Sequence, residues 1–133
     1  MSITLSEQDK TTLRTAAYGA VSLMVAADAT GRPHRAAVDG SLALGTGTGL
    51  VGHVLATYPK GVKLSGKTVA ELADLVLPAL AAAMNVLKKH APAEADNFRD
   101  TVVVAVEAAA RTHQGQPKPT LTNMIRKITA ALT

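Results

Sequence analysis

The chain has no cysteine. That excludes disulfides, a thiolate metal centre and a cysteine nucleophile, and it suits a reducing, cytoplasmic setting. Aromatic residues are scarce as well: Tyr18, Tyr58 and Phe98 make up 2% of 133 residues, against 47% for all hydrophobic types. A core must therefore be assembled from Ala, Val, Leu, Ile and Met, whose small side chains favour close helix–helix contact over ring-lined pockets. Stacking platforms for single-stranded nucleic acid are correspondingly lacking. Long apolar runs are missing too. The most apolar uncharged run, Leu75–Leu87, has 13 residues, too few to span a bilayer and suited to a buried helix. The opening MSITLSEQDK lacks the basic-then-apolar order of a secretory signal, so no membrane partner is expected.

Charge sets a second limit. Lys and Arg number 14 and Asp and Glu 10, a formal net charge of +4. This keeps a chain soluble and attracts polyanions weakly, but falls short of the density of a dedicated nucleic-acid binder. Lys60, Lys63, Lys118, Arg126 and Lys127 are the candidate contacts to nucleic-acid phosphates, with an ordinary solvated face as the alternative reading.

What is present is helix punctuation. Ser6 and Asp9 read as a capping box opening a helix over 7–28, with Leu13, Ala17, Ala20, Val21 and Met24 at helical spacing. Thr68 and Glu71 form a second box before a helix ending near His90, and Leu72, Val76, Leu80, Ala83 and Leu87 line one of its faces. Pro78 falls inside that helix and predicts a kink near Asp74 and Leu75. Pro92 opens a helix at about 93–113, and Thr120 is expected to cap a last one over 120–132. The apolar helix 69–90 is expected at the centre, packed by the other three.

The Gly-rich middle, 34–58, reads two ways. Pro33 and Thr48 can each open a short helix, through HRAAVDGSLAL and GLVGHVLATY. The alternative is a hairpin at 41–56, with SLAL and LVGHVLA as its strands. Alanines and the lack of β-branched enrichment at 34–45 favour the helices. The expected fold is all-α, a compact bundle of five to seven helices in a single domain over 1–133. An α+β fold carrying the hairpin is the alternative.

Residues 61–68, GVKLSGKT, spell the phosphate-cradling pattern G-x-x-x-x-G-K-T. Gly61, Gly66, Lys67 and Thr68 are thus candidate phosphate-binding residues, since amides at a helix N-terminus attract anions. Such a loop needs a strand running directly into its first glycine and a parallel sheet behind it. Here Tyr58, Pro59 and Lys60 follow HVLAT, and only Val102–Val106 resembles a buried strand, between two helix caps. The simpler reading is a Lys/Gly turn with an N-cap at Thr68. Gly47, Gly49 and Gly52 spell G-x-G-x-x-G, yet Pro59 cuts short the helix a dinucleotide fold requires, which leaves a flexible link or close backbone packing against a neighbour helix as their role.

No catalytic constellation follows. His34, His53, His90 and His113 form no i,i+4 pair, and no serine sits in a G-x-S-x-G elbow. The expectation is a binding, structural or regulatory protein with no catalytic residues, metal or cofactor. Its partner would be another protein or a second copy met through alanine-rich faces. Phosphate or nucleotide binding through 61–68, and weak nucleic-acid binding, are the alternatives.

Overall fold

In a computed structural model the described residues are 5–27, 33–59, 64, 67–110 and 119–133, with only the backbone described over 33–36. They form six helices in the order α1 (Glu7–Ala27), α2 (Pro33–Gly45), α3 (Gly49–Leu55), α4 (Val69–His90), α5 (Pro92–Ala110) and α6 (Pro119–Ala131). No strand occurs among the described residues. The fold is all-α, as the sequence predicts.

The helix starts follow from local chemistry. At α1 the Asp9 amide donates to Ser6 Oγ at 3.0 Å, and the Ser6 amide donates to Asp9 Oδ2 at 3.4 Å. At α4 the Glu71 amide donates to Thr68 Oγ1 at 3.1 Å while the Thr68 amide donates to Glu71 Oε1 at 2.9 Å. Each box satisfies two amides that a helix start otherwise leaves orphaned. Helices α2, α5 and α6 open on proline, whose fixed φ suits the first turn and whose missing N–H costs nothing there. Thr120 is therefore inside the first turn of α6 and is not its cap. The end expected for α5, 111–113, lies outside the described residues, as does Asp28 at the end of α1.

The hairpin alternative is overturned. SLAL belongs to α2 and LVGHVL to α3. Alternation would have set Gly40, Leu42 and Leu44 on one face. In the helix Gly40 and Leu44, four apart, turn inward, and Leu42 is left 64% exposed.

The centre also differs from expectation. Helices α1 and α5 each touch all five others, whereas α4 touches α1, α5 and α6. Residues 15–21 of α1 are buried without a break. A helix is buried on every side only where its side chains are small enough for neighbours all round, and Ala16, Ala17, Gly19 and Ala20 meet that need. A Cβ on Gly19 would lie 2.6 Å from Val76 Cγ2 of α4, so the α1–α4 approach is set by the missing side chain. Helix α5 supplies the largest central side chain, Phe98, fully buried among Val102, Ala105 and Val106 of its own inward face.

Helix α4 runs unbroken through Pro78. By length and composition it is the one helix among the described residues apolar enough to cross a membrane, with a mean hydropathy of 1.6. Its face of Leu72, Val76, Leu80, Ala83, Met84 and Leu87 is buried in the bundle, while Pro78, Ala81 and Ala82 stay exposed.

Candidate ligand-binding site

The short helix α3 is held at both ends by side chains from elsewhere. At its start, the Leu50 amide donates to Glu94 Oε1 at 2.8 Å. Asn97 Nδ2 braces the same corner, donating to Glu94 Oε2 at 2.9 Å and to the Thr48 carbonyl at 2.8 Å. Thr48 occupies the N-cap position, but its side chain makes no capping bond; the carboxylate of Glu94 takes over that role from α5. At the other end, Arg14 Nε donates to the Val54 carbonyl at 2.9 Å and Tyr18 Oη to the Leu55 carbonyl at 2.7 Å. Four carbonyls at any helix C-terminus lack intrahelical partners, and two of them are met here by residues one turn apart on α1.

The G-x-G-x-x-G spelling has its explanation at this corner. Gly49 adopts φ +70°, a left-handed conformation that costs side-chain-bearing residues, and Glu94 Oε1 stands where its Cβ would be. A Cβ on Gly52 would collide with the backbone carbonyl of Gly47. Gly49 thus packs closely on α5, as one of the two sequence readings had it, whereas Gly52 packs on the backbone of its own turn.

The end of α3 so anchored, Leu55 with Ala56 after it, lines an open recess of about 660 Å³. Helix α2 contributes Ala37, Val38, Ser41, Leu42 and Gly45 to its lining, and α1 contributes Tyr18. A second, more enclosed recess of about 290 Å³ adjoins it and shares Tyr18, Ala37 and Ser41. Its α1 wall carries Val21, Ser22, Val25 and Ala26, and its far side Tyr58, Leu64, Lys67 and Leu72. Tyr58 packs edge-on against Tyr18, with ring centroids 4.9 Å apart and planes at 61°. Burial pushes the Tyr18 phenol above its usual range, Tyr58 adds to this, and the Arg14 guanidinium opposes it.

The sequence-predicted residues divide sharply. Thr68 is the N-cap of α4, its hydroxyl and amide both committed to Glu71. Those bonds, backbone first, hold the Glu71 carboxyl below its usual range, with a smaller contribution from Lys67. Lys67 is half-buried and lines the inner recess. Gly61 and Gly66 lie outside the described residues, as do Lys60, Lys63 and Lys118. Arg126 and Lys127 stand exposed on α6. HVLAT and Val102–Glu107, the two segments with strand character, lie in or at the end of helices. His53, the one histidine in an apolar stretch, is exposed. Among the described residues no three His, Asp or Glu side chains converge to hold a metal.

Sequence reasoning missed the recess walls. Tyr18 and Tyr58 were visible only as two of three aromatics, and Ser41 and Leu42 belong to no motif. Their one signal is Leu42, an apolar residue that the helical reading of 34–45 leaves off the Gly40–Leu44 face. No protein-family model, curated protein or solved structure matches this chain.

Proposed function

We propose that this chain is a binding protein rather than a catalyst, and that its working surface is the pair of recesses beneath α2. One observation carries the reading. The described lining of both recesses contains no acid, no histidine and a single cation, Lys67, amid apolar and hydroxyl side chains. General acid–base chemistry needs positioned titratable groups; ligand sites need a concave, mostly apolar wall with a few polar points. Three of the four exposed large hydrophobics of the described residues, Val38, Leu42 and Tyr58, belong to this region. Clustered exposure of this kind marks a surface that meets something apolar.

The test is to fill the recess. Ser41 is common to both cavities, so Ser41→Trp should block them together. A neutral environment-sensitive dye is expected to bind the native chain with one-to-one stoichiometry and to be lost from the variant at unchanged helicity. Equal dye binding by both proteins rejects the proposal.

A further inference from the structure

The described lining of the inner recess carries a charge that the described lining of the outer one lacks. Lys67 is half-buried at its edge. It makes none of the ion pairs or hydrogen bonds found among the described residues. The acid that feels its field, Glu71, has one carboxylate oxygen taken by the Thr68 amide. Glu71 lies outside the described lining of the recess, so an anion that enters it meets Lys67 with no acid of that lining against it. Ser22 and Ser41, on the facing walls of α1 and α2, add hydroxyl donors. Everything else described in the inner lining is apolar or aromatic, and the shared wall of Tyr18, Ala37 and Ser41 leads on to the outer recess, whose described lining is uncharged.

From this charge placement we propose that the ligand is a singly charged amphipathic anion, a free long-chain carboxylate. Its carboxylate sits at Lys67 in the inner recess and its hydrocarbon chain runs past Tyr18 and Ser41 into the outer one. The one cation of the described lining matches one negative charge, and two apolar chambers in series match a chain rather than a compact ring. The inference rests on the recesses being the binding surface. It also gives Lys67 of the GVKLSGKT stretch an anion to meet without requiring a nucleotide fold around it.

The experiment uses the full chain and compares laurate, lauryl alcohol of the same length, and inorganic phosphate by calorimetric titration. It adds the variants Lys67→Met, Lys67→Arg and Ser41→Trp. Laurate is expected to bind with one-to-one stoichiometry, about tenfold tighter than the alcohol, the value of one charge-assisted contact. Lys67→Met should erase that preference while leaving alcohol binding in place, and Lys67→Arg should restore it. Shortening the acid should weaken binding roughly three- to fourfold per buried methylene. Laurate and alcohol binding alike, both blocked by Ser41→Trp, overturns the anion and leaves the recess reading standing. Phosphate binding as tightly as laurate through Lys67 also overturns it, in favour of an anion site without a chain. If neither laurate nor alcohol binds and Ser41→Trp changes nothing measurable, the recess reading falls and this inference with it. A dimer that Ser41→Trp dissociates and laurate cannot enter gives the face to a second copy and overturns the proposal as well.

Discussion

The phenolic hydroxyl of Tyr18 donates a 2.7 Å hydrogen bond to the carbonyl oxygen of Leu55, 37 residues along the chain. One phenol thus closes the last turn of α3 and forms the wall common to both recesses. Tyr18→Phe keeps the ring and its packing on Tyr58 but orphans a buried carbonyl. The expected cost is about 1–2 kcal/mol in chemical unfolding. The pH dependence has a definite sign. The Tyr18 pKa is raised above its ordinary 10.0 in the folded chain, so the neutral phenol contributes stability that is fully present below that value. This stability is lost as pH rises through the folded pKa. Alkaline titration should show a decline that Tyr18→Phe lacks; identical alkaline profiles would contradict this account.

At the opposite end of α3, Glu94 accepts from the Leu50 amide and from Asn97. Glu94→Ala removes the side-chain cap that the described residues give this end, because Thr48 makes none. The loss is expected at about 1–2 kcal/mol. Hydrogen exchange at Leu50 should accelerate far more than exchange at Phe98 in the middle of α5. Uniform acceleration at both sites would show that α3 does not open as a local unit.

Much of the architecture is legible before any coordinates, for reasons that differ by element. The boxes Ser6–Asp9 and Thr68–Glu71 and the proline at 92 are local devices, and the chain forms them as spelled. The identity of the central helices is not local. Helix α4 carries the larger apolar mass, yet α1 lies deeper because Ala16, Ala17, Gly19 and Ala20 admit neighbours on every side. Small residues weigh little in hydropathy, so sequence reading ranks the two in the wrong order. Helix α3 is the hardest to read. Its seven residues include Gly49 and Gly52, and it persists because Arg14, Tyr18 and Glu94 reach it from 37 to 44 residues away. The candidate site inherits that difficulty, since its walls meet only after α3 is docked. Of the phosphate-loop pattern, the cap at Thr68 and Lys67 in the lining of the inner recess are the parts with a described structural place.

The glycines around α3 supply an internally controlled series. Gly49→Ala must hold a Cβ at φ +70° and displace Glu94, and should lose about 1–2 kcal/mol. Gly52→Ala should lose more, because its obstacle is the Gly47 backbone and not a side-chain end. Gly45, by contrast, has nothing within 4 Å of a built Cβ. Gly45→Ala should be neutral or stabilising by up to about 1 kcal/mol, through a less flexible unfolded chain. Midpoints of denaturant unfolding for the three variants test the order, and a Gly52→Ala protein as stable as the parent would disprove the close Gly47–Gly52 packing.

The capping box of α4 makes a prediction at the acid end. Bonds from the Thr68 amide and hydroxyl hold the Glu71 pKa below its usual 4.5. A depressed carboxyl contributes stability that is present above its unfolded pKa and lost as pH falls through the folded one. Thermal midpoints should therefore drop on acidification below about pH 4.5. Thr68→Ala should flatten this drop, because it removes the hydroxyl that Glu71 answers, and Glu71→Gln should flatten it too while keeping the helix start intact. The group is fully exposed, so salt should shrink the effect. An acid transition unchanged in both variants would mean that other carboxylates carry it and that this box is only a local ornament of α4.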